Sequence, residues 1–167
     1  MKKNLSLIAV CLLFIGFQKP PFPLTGKWQL DGKQSKNLPE SFKSVEQYTM
    51  DVQQQGDSVI VVIGLKGSGQ DVKFPPTIYM LSGKEMFRDD TLRFVKRWST
   101  AQWLDKEKKF TVTNKVIQRN RKTSTEQQYN QTDVWEFHDD TLHIAMTQKF
   151  PVNDSTYSQV RIFERAK

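Results

Sequence analysis

The residues of this chain best suited to chemistry are two aspartate doublets and a pair of histidines. Phe87–Phe94 reads FRDDTLRF and Phe137–Ile144 reads FHDDTLHI, and each sets adjacent aspartates between an aromatic residue and a Thr-Leu pair. Paired carboxylates act as general acid and base when a cleft drives their pKa values apart. His138 and His143, the only histidines, lie close in sequence to Glu136. Two histidines and a carboxylate are a set that binds metal ions.

Strand geometry argues against both uses. A two-residue turn at Asp139-Asp140 sets His138 opposite Thr141, Phe137 opposite Leu142, Glu136 opposite His143 and Trp135 opposite Ile144. Period-two alternation then gathers Trp135, Phe137, Leu142, Ile144 and Met146 on one face. A slip of one residue would scatter them, so the register checks itself. The aspartates fall at the tip, where Asp tolerates turn geometry and bonds its own backbone. The same turn is expected at Asp89-Asp90, with Phe87 against Leu92. Adjacent, solvated carboxylates on a tip face different ways and share no cleft. Both histidines fall on the polar face, where a Glu136–His143 pair is expected and nothing supplies the buried second shell of a metal site. The reading is therefore no catalytic residue, no metal and no cofactor.

Other constellations are incomplete. There is no G-x-S-x-G, and neither histidine has a partner serine. Gly64–Gln70, GLKGSGQ, lacks the lysine-Ser/Thr ending of a phosphate loop and lies between strands rather than before a helix. Arg93–Trp103 interleaves cations with aromatics, as base-stacking surfaces do. A strand that turns aromatics inward and cations outward gives the same text, and no nucleic-acid partner is expected. Many strands are short and highly charged, against a membrane-spanning barrel.

The elements that must carry these residues are strands. Alternating runs are frequent and long helical periodicity is absent. Thr25–Leu30 opens the series. Lys33–Ser44 is a polar loop or short helix, and Tyr48, Met50 and Val52 then share one face. Ser58–Leu65 is strongly β-branched, and Pro75-Pro76 marks a break, since proline cannot donate to a ladder. Further strands are expected at Thr91–Trp98, Phe110–Gln118, Tyr129–Phe137, Thr141–Lys149 and Tyr157–Arg165, with TAQWL (Thr100–Leu104) as a separate short one. Such a run of antiparallel strands with short connections suits a barrel or sandwich.

The N-terminus is a different kind of text. Lys2 and Lys3 precede an almost wholly apolar run, Leu5–Phe17, followed by Gln18 and a proline-rich stretch. That order is a secretory leader, and the run is shorter than the roughly 20 residues that span a bilayer. Residues 1–18 are read as the leader, 19–23 as a linker and 24–167 as one domain, without a membrane-spanning segment in the mature chain. Cys11, the only cysteine, lies inside the leader; Val10 precedes it where a lipidated cysteine needs a small residue. The mature chain then has no disulfide or thiolate and is held by its core alone. The formal charge of +7 falls to about +5 once Lys2 and Lys3 leave, which favours anionic partners without choosing one.

Three short matches, in order, resemble the lipocalins and related calycin-type exported proteins. Gly26-Lys27-Trp28 fits the family's G-x-W on the first strand. Thr132-Asp133-Val134 approximates its T-D-Y motif, with Val where an aromatic is usual, and Arg161 stands where the family has a closing arginine. The resemblance implies an all-β, antiparallel up-and-down barrel of about 8–10 strands. It also implies that Gly26, Trp28, Asp133 and Arg161 serve barrel closure, the arginine lying over the tryptophan. On the chemistry of the residues alone, Arg165 suits that position equally well.

A small barrel either fills its interior or holds a small ligand. Tyr48, Met50, Val61, Ile63, Phe94, Trp98, Val112, Trp135, Ile144 and Met146 are the expected inward residues. The expectation is an exported monomer, periplasmic or extracellular, that binds a small hydrophobic or anionic amphipathic molecule without catalysis. The alternative is an envelope interaction or structural module with a filled core. A hydrolase or isomerase at the barrel mouth would need an inward acidic residue, and Asp133 is the one that the register supplies.

Overall fold

The computed structural model describes residues 23–91 and 93–166; the leader, Cys11 and Leu92 lie outside the described residues. Strands follow one another as β1 (Gly26–Lys36), β2 (Gln47–Gln55), β3 (Ser58–Gly67), β4 (Gln70–Lys73), β5 (Thr77–Met80) and β6 (Met86–Asp90). They continue as β7 (Val95–Leu104), β8 (Lys109–Arg119), β9 (Glu126–His138), β10 (Thr141–Phe150) and β11 (Ser155–Arg165). A short 3-10 helix, Glu40–Ser44, joins β1 to β2.

Every strand pairing is antiparallel, and the 11-stranded sheet runs β4-β3-β2-β1-β11-β10-β9-β8-β7-β6, with β5 also on β3. The β1–β11 ladder joins the first strand to the last. The opposite seam is thinner: β5 lies beside β7 and β6, and one bridge, Ser82–Gln102, ties it. The sheet therefore curls into a barrel, with Phe74-Pro75-Pro76 breaking the chain between β4 and β5 as proline dictates.

The β9–β10 hairpin has the expected register: His138 pairs with Thr141, Phe137 with Leu142, Glu136 with His143 and Trp135 with Ile144. Asp139 takes a φ of 50° in its turn. The first doublet behaves differently. Asp89 and Asp90 end β6, Phe87 pairs with Trp98, and Thr91, Arg93 and Phe94 lie between β6 and β7. Asp90 stays punctuation of another kind, its carboxylate accepting from the Arg93 backbone at 3.1 Å. β7 accordingly begins only at Val95 and absorbs TAQWL as its continuation. β1 also runs beyond Leu30, with a register shift between Asp31 and Lys36. The Asp31 carboxylate caps that irregular stretch, accepting from the amides of Lys33 at 2.8 Å and Gln34 at 3.1 Å.

One end of the barrel is packed solid. Leu24, Trp28, Val52, Val59, Phe110, Leu142 and Phe163 are fully buried there. The Trp28 indole donates to the Leu24 carbonyl at 2.9 Å, and Phe137 meets its ring edge-on at 5.9 Å. The closing arginine is Arg165, whose Cζ lies 4.0 Å from the centre of the Trp28 ring. Its Nη1 donates to the Thr25 carbonyl at 2.7 Å. Arg161 does not close the base: four residues back on the same strand, it projects into the barrel, with its Cζ over Phe42 at 5.4 Å. Thr132-Asp133-Val134 lies in the middle of β9.

Gly26 completes the seal. Its φ is +142°, and a Cβ there would collide with Arg165 Nη1. Gly26→Ala is expected to cost about 2 kcal/mol, from strained backbone and a displaced guanidinium. Arg165→Ala is expected to cost about 1–2 kcal/mol through the lost ring contact and hydrogen bond. Because one injury contains the other, the double variant should lose at least about 1 kcal/mol less than the sum. Urea unfolding of the four proteins measures this, and strict additivity would refute the coupling.

Candidate functional site

Above the packed base the barrel holds a cavity of about 300 Å³. Its apolar wall comes from alternate residues of β2 and β3, namely Tyr48, Met50, Val61 and Ile63, and continues through Trp135, Ile144, Met146 and Phe163. The rest of the wall is polar: Arg97 from β7, Gln131 and Asp133 from β9, Gln148 from β10, and Gln159 and Arg161 from β11. A second space of about 260 Å³ shares Tyr48, Val61, Ile63, Thr77 and Arg97 with the first. It extends toward Phe74, Arg88, Asp90 and Arg93 at the thin seam.

Strand pairing explains why the polar residues meet. Ser99 pairs with Asn114, Asn114 with Gln131, and Gln131 with Gln148, which in turn pairs with Tyr157. Residues paired across antiparallel strands share a face, so one inward row crosses five strands. Within it Ser99 donates to Asn114 at 2.7 Å and Gln148 Nε2 to Gln131 at 3.0 Å. Gln131 Nε2 donates to both Asp133 oxygens, at 3.0 and 2.8 Å. Gln159 Nε2 donates to the Met146 sulfur at 3.1 Å.

The charges are less well satisfied. Nε of Arg97, Nε of Arg161, Nε1 of Trp135 and Oε1 of Gln159 are buried without hydrogen-bond partners. Among the described residues, the ion pairs include none between Asp133 and either guanidinium. Burial raises the Asp133 carboxyl above its ordinary 3.8, although Gln131 and then the two arginines oppose it. Burial likewise pushes the Tyr79 phenol up to about 12.

Seven of the ten expected inward residues line the cavity: Tyr48, Met50, Val61, Ile63, Trp135, Ile144 and Met146. Val112 is fully buried in the core but not on the cavity wall. Phe94 and Trp98 are corrections. Phe94 sits in the β6–β7 turn with a φ of 57° and is 46% exposed, with the Arg121 guanidinium 5.0 Å from its ring. That turn sets the parity of β7: Val95, Arg97, Ser99 and Ala101 face inward, and Trp98 faces outward onto Phe87, 5.0 Å away. Asp133 and Arg161, expected at the base, belong to the cavity wall instead. Arg97, Gln131, Gln148 and Gln159 were not foreseen. The signal for Arg97 was the alternation of β8, since its inward Val116 and Val112 pair with Arg97 and Ala101.

The histidines lie elsewhere, at the outer edge of the base. Their rings are 4.6 Å apart, and Glu136 pairs with Lys109 at 3.0 Å and His138 at 3.2 Å. His143 instead meets the Thr141 hydroxyl at 3.1 Å. Among the described residues, no three His, Cys, Asp or Glu side chains converge as a metal site would require, and no helix is long and apolar enough to cross a membrane.

The raised Asp133 pKa has a signed consequence. The folded protein holds this proton more tightly than the unfolded chain, so folding is penalised as pH rises from about 3.8 through the higher folded value. Asp133→Asn, which cannot ionise, should therefore gain stability over wild type across that window and keep the gain at neutral pH. Urea unfolding from pH 3 to pH 7 tests this. A stability difference that does not grow with pH would contradict it.

No protein-family model matches the sequence, and neither does any curated protein sequence. Solved structures do match. The REP1-NXSQ fatty acid transporter is 18% identical, with a TM-score of 0.50, over 86% of this chain and 96% of its own. A secretary abundant heat soluble (SAHS) protein from Ramazzottius varieornatus is 10% identical, with a TM-score of 0.56, over 88% of this chain and 97% of its own. Identities this low speak for architecture alone, and the architecture is clear: this chain has the all-β, antiparallel, calycin-type barrel fold.

Proposed function

We propose that the barrel binds one small amphipathic acid non-covalently in its cavity. The observation that carries this reading is the charge balance inside. Arg97 and Arg161 face one enclosed space with buried, unpartnered Nε groups, against the single carboxylate of Asp133. A carboxylate or similar anion would supply charge-assisted hydrogen bonds to these donors. Met50, Val61, Ile63, Trp135 and Ile144 would take the apolar tail, methionine and aromatic surfaces being adaptable to it. The fold likeness to a fatty acid transporter supports the same class of ligand. No catalytic step is part of the proposal: both histidines lie outside the cavity.

Fatty acids should displace a fluorescent dye from delipidated protein. Arg97→Met and Arg161→Met should each weaken the acid about 10- to 100-fold, the usual range for a lost charge-assisted hydrogen bond. Both variants should remain folded, which urea unfolding checks, so that the lost affinity is read on intact protein. A wild-type protein that no fatty acid displaces dye from would favour the filled-core interaction module instead.

Export is proposed with it, on the basic-then-apolar order of residues 1–18. The intact mass of the protein recovered from its own host should correspond to a chain lacking that segment. A mass that includes Met1–Phe17 would refute cleavage.

A further inference from the structure

We infer that the preferred acid carries a second polar group, a hydroxyl or similar hydrogen-bond donor, which the cavity accepts at Asp133 and Gln159. The inference rests on the function proposed above and narrows its ligand class.

Two acceptors stand at neighbouring inward positions. Met146 pairs with Asp133 on one side and with Gln159 on the other, so the three form one short row across β9, β10 and β11. Gln159 is 2% exposed, and its Oε1 is buried without a partner. Asp133 accepts from one nitrogen, Gln131 Nε2, although a carboxylate offers about four lone-pair sites. Neither acceptor is used by the anionic head, which belongs with the donors Arg97 and Arg161.

A plain alkyl chain laid across this row would gain about 0.8 kcal/mol for each buried methylene. It would also leave Gln159 Oε1 unpaired and cover the free lone pairs of Asp133, at a cost of about 1–3 kcal/mol for each group left without a hydrogen bond. A donor on the ligand removes that cost. Its distance from the acid is bounded by the strand. Gln159 is two residues from Arg161 on β11, roughly 6–7 Å at the rise of a β-strand. Sites that hydrogen-bond a ligand hydroxyl discriminate strongly against the analogue lacking it, because their own polar groups are then stranded.

The test compares hexadecanoic acid with its monohydroxy derivatives, the hydroxyl moved carbon by carbon, by dye displacement from the full chain. Wild type should bind at least one hydroxy acid about tenfold more tightly or better. In Asp133→Leu or Gln159→Leu that preference should shrink to about threefold or less, while hexadecanoic acid binds as well as before or better. Equal affinities in the wild type would overturn the inference and leave the proposed function standing. So would a preference that survives in both variants. If no acid binds at all, the proposed function falls and this inference falls with it.

Discussion

The stack of Arg165 on Trp28 is the contact on which the rest of the barrel depends. It seals one end, where the seven fully buried apolar side chains collect around Trp28 and Phe163. Each such side chain contributes about 1.5–3 kcal/mol when it leaves water. The guanidinium adds a cover that is charged on its outer side and dispersive on its inner side, so the base stays dry while its surface stays wet. The hydrogen bond from Arg165 to Thr25 ties the last strand to the residue before the first. One arginine thus ties together the base and the first and last strands.

With the base solid, the other half of the interior is free to be poorly packed and polar. Two guanidiniums and one carboxylate around a shared cavity make a weak arrangement for stability, because desolvated charges need close partners to recover what solvation gave them. These charges stand apart instead. The Gln and Asn side chains of the inward row partly satisfy one another and the carboxylate, yet leave donors and acceptors facing the space. A core optimised for stability alone would fill it with Val and Leu. Local rules are broken here in one place and obeyed elsewhere, which is the pattern of a site rather than of a faulty core.

Much of this could be read from the sequence, and the exceptions have a common cause. The β9–β10 hairpin was legible because five large apolar residues agree on one register, and Asp139-Asp140 suits a tight turn. The same doublet at Asp89-Asp90 misled, since Arg88 and Lys96 on either side offer no apolar pattern to fix the pairing. The turn therefore fell one segment later, Phe94 took a left-handed φ, and the parity of β7 inverted, turning Trp98 out and Arg97 in. The rule that cations point outward hid the most informative residue of the cavity. Arg161 was hidden differently, by its assignment to barrel closure. Its strand ends in two arginines of the same parity, and only the position of the base decides which one covers Trp28.

The seam between β5 and β6 connects these two halves of the argument. β5 and β6 are among the shortest strands, with 4 and 5 residues. Few hydrogen bonds resist separation there, and strand edges held this lightly open at the low end of the free-energy scale. The same seam is lined by Arg88, which donates to Thr77 at 3.0 Å, and by Arg93, whose Cζ covers the Phe74 ring at 4.0 Å. Arg97 then faces both spaces behind it. This lightly held seam is also cationic, with Asp90 beside Arg93 at 3.7 Å as the one acidic residue among the described residues that line its space, and an anion entering there would meet guanidiniums in succession. Such a gradient lowers the cost of desolvating a head group step by step, because each water lost is replaced by a charged donor. The packed base offers nothing of the kind, so the barrel has a direction, set at one end by Arg165 facing out and at the other by Arg97 facing in.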